Sequence, residues 1–208
     1  MKHFRLLRSG IDIEPFIGEL NSLSFKWSKE RGQMLKHHGD TENLKVREQV
    51  PIQGSTNFNN LLTRKTALYE HLPLLTNFLE NFAQSIRGNL GKVMIVKLKE
   101  NGMVYPHYDK GLYYSLHDRY HLVLISEGGR MVSGSETQIF RRGELWWFDN
   151  KAQHVALNEH DSTRTHVIFD VLPDFFYGRL TNLFKRHKAD IFGYARITKL
   201  RDKIPSLI

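Results

Sequence analysis

The sequence predicts an α+β protein built around an antiparallel β-sandwich. Two features predict it: one long amphipathic helix in the first half, and a run of short alternating segments, separated by turn residues, in the second. The helix is read over Lys65–Arg87. Leu68, His71, Leu72, Leu75, Phe78, Leu79, Phe82 and Ile86 recur at steps of three and four, and Gly88 supplies a stop. One face of that helix should therefore pack on a sheet. After Gly91 the texture changes. Val93–Lys99 reads as a strand and Asn101-Gly102 as a turn; Val104–Asp109, Arg119–Ser126, Met131–Val132, Thr137–Phe140, Glu144–Phe148, Gln153–Leu157 and Thr165–Leu172 follow as strands. Short strands at this spacing close into sandwiches or barrels. Glu42–Val50 adds a strand in the first third, with Lys45, Arg47 and Gln49 alternating against Leu44, Val46 and Val50, and 174–187 reads as a closing helix.

No repeat, low-complexity tract or Pro/Gly-rich linker divides the chain. One domain over 1–208 is expected: a β-rich core at about 91–173, a supporting part at 1–90 and a helical segment at 174–208. At 208 residues, with 40% hydrophobic and 25% charged residues, the chain can bury a core unaided. It contains no cysteine, which excludes disulfides, thiolate zinc sites, iron–sulfur clusters and a cysteine nucleophile. Any metal must be held by His, Asp, Glu or water, a donor set suited to iron(II), manganese or zinc. No apolar stretch is long enough to span a bilayer. The start of the chain, Met1 to Arg8, lacks the apolar segment and cleavage site of a signal peptide, so a cytoplasmic location is expected. The formal charge of +8 fits nucleic acid, an anionic membrane face or an acidic or phosphate-bearing small molecule. The basic residues are scattered, with local density only at Lys26–Lys36 and Lys185–Lys203, and no nucleic-acid motif accompanies them.

The chemistry-bearing residues gather in the β-rich half. In a strand, residues i and i+2 share a face, so His107 and Asp109 would project together, an imidazole beside a carboxylate. These are two corners of a 2-His-1-carboxylate facial triad; alone, such a tripeptide is weak evidence and is more often a surface or turn histidine. His154, on a later strand, is placed where a remote third ligand must come from, although a strand histidine is more often a bonded core residue. Arg164 follows ten residues later, and the polar stretch Asn158–Ser162 puts His154 and Arg164 on the two strands of one hairpin. A guanidinium facing a barrel interior needs an anion, and a dicarboxylate co-substrate would supply one. The alternative is a rim arginine paired with Glu159 or Asp161. Arg119 and His121 share a strand face, which fits either a polar pocket or a solvated edge strand.

Taken in order, these pieces resemble the aspartyl/asparaginyl β-hydroxylase family of Fe(II)/2-oxoglutarate-dependent oxygenases. The resemblance rests on Gly102-Met103-Val104-Tyr105-Pro106-His107-Tyr108-Asp109, Arg119-Tyr120-His121-Leu122, Gly143-Glu144-Leu145-Trp146-Trp147-Phe148-Asp149-Asn150, His154, and Arg164-Thr165-His166-Val167-Ile168-Phe169-Asp170-Val171. His38-Gly39-Asp40-Thr41-Glu42-Asn43-Leu44 is similar to a segment that some members carry near the substrate pocket. The resemblance implies a double-stranded β-helix (jelly-roll, cupin-like) with iron(II) on His107 and His154, and with Asp109 as a third ligand that some members lack. It implies that Arg164 pairs with the far carboxylate of 2-oxoglutarate, and that Arg119 and His121 hold its metal-proximal end. The implied activity is O2-dependent hydroxylation of an unactivated C–H bond, with succinate and CO2 as co-products. The implied substrates are amino acids, peptide or protein Asp/Asn residues and lipid acyl chains. Trp146, Trp147 and Phe148 are expected to be core residues, and Tyr113, Tyr114, Ser115 and His117 to sit in a loop on the pocket's outer wall. Two other readings use the same fold. One is a non-catalytic β-helix that binds an anionic partner, motivated by the charge and by Lys185-Arg186-His187-Lys188. The other is a metal-binding cupin of another activity, such as an isomerase, which gives Arg164 no task.

Overall fold

The strands form two antiparallel sheets facing each other, and helices cover the outer face of the larger sheet. The structure is a computed structural model that describes residues 2–50 and 61–175. In chain order the strands are β1 Phe4–Arg8, β2 Thr41–Gln49, β3 Thr63–Lys65, β4 Gly88–Leu98, β5 Met103–His107, β6 Asp118–Ile125, β7 Arg130–Ser133, β8 Glu136–Ile139, β9 Leu145–Phe148, β10 His154–Leu157 and β11 Arg164–Pro173. The helices are α1 Glu14–Asn21, α2 Glu30–Met34, α3 Pro73–Ser85 and α4 Leu112–Leu116, with 3-10 turns at Lys36–His38 and Ala67–His71. The large sheet runs β1-β9-β6-β11-β4-β2-β3, and the small one β5-β10-β7-β8. This is the expected jelly-roll on an α+β frame. No helix among the described residues is long and apolar enough to cross a membrane.

Alternation along the central strands explains the layering. Tyr120, Leu122 and Leu124 of β6 and Val167, Phe169 and Val171 of β11 face the helices, where they bury with Leu75, Leu79 and Phe82 of α3. Phe169 stacks on Tyr120 at 5.3 Å and meets Phe82 edge-on at 5.7 Å. The odd-numbered residues of β6 and the even-numbered ones of β11 turn the other way, toward the small sheet. A second apolar cluster, including Phe4, Val123, Met131, Phe140, Trp146 and Phe148, fills part of that inter-sheet space. Trp146 and Phe148 are thus core residues, as expected.

Three expectations need correction. The helix read over Lys65–Arg87 is split: Lys65 ends β3, Ala67–His71 is a 3-10 turn, and α3 starts at Pro73. Proline disfavours the α conformation in the residue before it, and Leu72 leaves the helix at φ −128°, ψ 53°. His154 and Arg164 do not share a hairpin. β10 belongs to the small sheet and β11 to the large one, so the connection crosses between layers. Asn158 braces that crossing by donating to the carbonyls of Lys99 (2.8 Å) and Ser162 (2.7 Å). Third, residues 112–116 form a helix turned inward rather than an outer wall of the pocket. The hydroxyl of Tyr113 accepts from the Lys92 backbone N–H at 2.7 Å, and His117 stacks on the Tyr113 ring at 3.8 Å. Gly91 makes this packing possible, since a Cβ there would sit 2.6 Å from the Tyr113 hydroxyl. β1 and α1 had no counterpart among the expected elements. Most of the expected 174–187 helix, and Lys185–Lys188 with it, lie outside the described residues.

Phe169→Ala should remove the centre of the helix-facing core and destabilise the protein by about 3–5 kcal/mol. A urea-unfolding midpoint checks this; a change within about 1 kcal/mol would mean that the aromatic cluster is not where the stability resides.

Candidate metal and anion site

The inter-sheet space narrows to a cavity lined on the large-sheet side by Arg119, His121, Arg164 and His166, and closed by Val96, Leu98 and Ile168. His107 and His154 reach it from the small sheet, where they are directly opposed in register on β5 and β10. Their rings lie 4.1 Å apart. In each ring Nδ1 meets a main-chain carbonyl two residues back, Tyr105 at 2.8 Å for His107 and Ala152 at 3.0 Å for His154. A carbonyl only accepts, so Nδ1 carries the proton and Nε2 of each ring bears the lone pair that a cation would take. Burial, then the neighbouring His154, depresses the His107 pKa to about 4, which keeps that ring unprotonated at neutral pH.

Asp109 arrives differently from the way strand alternation predicts. β5 stops at His107, and Asp109 lies in the following loop, pinned because its N–H donates to the Asn150 carbonyl at 3.1 Å. Its Oδ1 still comes to 4.0 Å from His107 Nε2. One ligand atom from each of His107, Asp109 and His154 lies within 4.8 Å of the others. The other carboxylate oxygen, Oδ2, accepts from Asn150 Nδ2 at 2.9 Å and from Arg119 Nη1. Arg119 in turn donates Nε and Nη2 to the two oxygens of Asp170, at 2.8 and 3.1 Å. Asp170 faces Arg119 directly across the β6–β11 ladder. Burial pushes Asp170 up, but the charge and hydrogen bonds of Arg119 outweigh it and hold the carboxyl below its ordinary range. Each nitrogen of the Arg119 guanidinium therefore donates to a carboxylate. Oδ1 of Asp109 is the oxygen turned toward His107.

Arg164 contrasts with this. Its guanidinium is buried, yet it donates only long contacts, to the carbonyls of Leu157 (3.4 Å) and Arg130 (3.5 Å) and to the Met131 sulfur (3.6 Å). Neither acidic partner offered by the sequence reaches it: Glu159 pairs with Arg130, and Asp161 accepts from Asn101. Burial alone lowers its pKa to about 10. Beside it, His166 bonds His121 through the two Nδ1 atoms at 3.3 Å, while its buried Nε2 has no hydrogen-bond partner among the described residues. Both rings are held well below the ordinary histidine pKa, by burial first and by nearby arginine charge second. A buried cation and an unsatisfied imidazole nitrogen in one cavity form a receptor for an anion.

Sequence reasoning named all six of these residues and missed the groups that brace them. Asp170 and His166 follow from the alternation of β11 that already places Arg164 in the cavity. Asn150 had no comparable signal, because loops have no period.

A profile described as aspartyl/asparaginyl β-hydroxylase matches residues 21–173 of the 208, and the chain belongs to that family. Among solved structures, an oxidoreductase of the 2OG-Fe(II) oxygenase family from Burkholderia pseudomallei is similar in fold. It has a TM-score of 0.59 and 11% identity, with 82% of this chain and 84% of that one covered. A viral collagen prolyl hydroxylase from Paramecium bursaria Chlorella virus-1, solved as its 2OG complex, aligns at TM-score 0.47 and 11% identity, over 82% of this chain and 96% of that one. No curated protein is a significant sequence match.

His117, buried beneath the site with its Nδ1 on the Tyr113 carbonyl at 2.7 Å, has its pKa lowered by burial from 6.5 to about 4. The unfolded chain takes up that proton first, so the stabilisation is present above pH 6.5 and is lost as the pH falls toward 4. His117→Gln should flatten this part of the pH–stability curve, by up to about 3 kcal/mol. Urea unfolding at several pH values reads it, and an unaltered slope would remove His117 as the cause.

Proposed function

We propose that the chain is an Fe(II)- and 2-oxoglutarate-dependent hydroxylase, with the metal on His107, Asp109 and His154 and the far carboxylate of the co-substrate on Arg164. The observation that carries this reading is the buried Arg164 without a carboxylate partner among the described residues, in the same cavity as His107 and His154. The donor set also fits. Two neutral imidazoles and one carboxylate on one side of a cation are the ligands of non-haem iron(II) sites with open positions. A dicarboxylate matches the bidentate fork of an arginine.

When bound, iron(II) and 2-oxoglutarate supply the oxidising chemistry: O2 is consumed, the keto acid is decarboxylated to succinate and CO2, and a substrate C–H bond is hydroxylated. The protein's residues orient and exclude. Arg164 fixes the far end of the co-substrate. His166 Nε2 and His121 offer polar contacts beside it, and Val96, Leu98 and Ile168 keep water from the cavity. The expected direct contact between Arg119 and the co-substrate is replaced in this proposal by a positioning role. Arg119 ties up Oδ2 of Asp109, so that Oδ1 would be the oxygen that holds the metal, and Asp170 holds Arg119 in place. The substrate is proposed to be an amino acid or an Asp- or Asn-bearing peptide, entering on the side of His37, His38 and Tyr108.

His107→Ala and His154→Ala should each abolish iron-dependent succinate release; full activity in either would end the metal assignment. Asp170→Asn should weaken Mn(II) binding roughly 10- to 100-fold by loosening Arg119. Calorimetry on the metal-free protein measures it, and wild-type affinity would show that Asp109 needs no such support.

A further inference from the structure

A second group of imidazoles adjoins the iron ligands. His37 and His38, consecutive on the 3-10 turn Lys36–His38, lie against His107, with ring centroids 4.3 Å (His37–His107), 4.9 Å (His38–His107) and 4.4 Å (His37–His38) apart. One ring nitrogen from each of His37, His38 and His107 lies within 4.8 Å of the others. Two nitrogens on one tetrahedral zinc sit about 3.3 Å apart, so a small rotation of each ring closes the site. The turn that carries the pair is built rather than incidental. The His38 N–H donates to the Leu35 carbonyl at 2.8 Å, and the Thr41 hydroxyl donates to the His38 carbonyl at 2.8 Å. Helix α2 reaches the same carbonyl because position 32 is glycine; a Cβ there would sit 2.8 Å from it.

We propose that His37, His38 and His107 form an alternative cation site that excludes the iron triad. The exclusion follows from His107. Its Nδ1 is committed to the Tyr105 carbonyl, so Nε2 is its single metal-binding atom, and both sites require it. The two sites also sort metals by chemistry. The triad includes a carboxylate and suits iron(II) or manganese, whereas three neutral imidazoles with water in a fourth position suit zinc or cobalt(II). His37 is partly exposed, leaving the outer position open to solvent. Zinc bound here would withdraw His107 from the triad and switch the site off without occupying it. The inference concerns cation binding by the resting chain, and it stands or falls apart from the proposed oxygenase reaction.

Titration of the full-length, metal-free protein with Co2+ alone, followed by visible absorption and by bound-ion stoichiometry, tests it. His154→Ala breaks the triad and keeps all three imidazoles, whereas His37→Ala breaks the imidazole group and keeps the triad; both leave the Arg119 ion pairs intact. His154→Ala should bind one Co2+ with the intense bands of a four-coordinate ion. His37→Ala should give only the weak spectrum of a six-coordinate ion and bind Zn2+ at least about tenfold more weakly than His154→Ala does. The wild type should hold one ion per chain, not two. A four-coordinate spectrum missing from His154→Ala, equal Zn2+ affinity in the two variants, or two ions bound per wild-type chain would each overturn the proposal.

Discussion

Two buried guanidiniums on one face of the large sheet set the terms for the rest of the site. Burying an unpaired arginine costs several kcal/mol, so each must be answered by an anion. Arg119 is answered from within the protein, by Asp170 across the strand ladder and by Asp109 from the loop. Arg164 is answered by nothing in the described chain except two carbonyls and a sulfur at long range. The same cation is structural in one case and, in the proposed function, a receptor in the other. The difference lies wholly in what stands opposite.

The Arg119 cluster also explains how a loop residue can be held beside the two histidines of the proposed metal site. Asp109 sits beyond the end of β5, where no ladder fixes it. Its backbone N–H is held by Asn150, and one of its oxygens is held by Asn150 and Arg119 together. Rigidity that a strand supplies to His107 and His154 is supplied to Asp109 by charge and hydrogen bonds. The two histidines are fixed more simply, each by a carbonyl of its own chain two residues away.

Much of this was legible in the sequence. The period-two alternation of β6 and β11 separates core residues from cavity residues, and it puts Arg119, His121 and Arg164 on the correct face. The class of fold followed from the density of short strands. What could not be read was pairing between distant segments. A polar stretch after His154 looks like a hairpin turn, but whether the chain returns in the same sheet or crosses to the other depends on contacts such as those of Asn158, which have no local signature. The break at Pro73 was readable from its steric rule, yet the continuous apolar period on either side masked it. Asp109 came near the right place for a reason other than the one alternation gives.

The central claim is that Arg164 awaits the far carboxylate of 2-oxoglutarate. The most direct test is calorimetric titration of the Mn(II)-loaded protein with 2-oxoglutarate and, separately, with 2-oxobutyrate, which keeps the keto-acid end and lacks the far carboxylate. Arg164→Ala should weaken 2-oxoglutarate binding by roughly two orders of magnitude, in keeping with loss of a buried charge pair, and leave 2-oxobutyrate binding unchanged. Equal loss for both ligands, or loss for neither, would contradict the account.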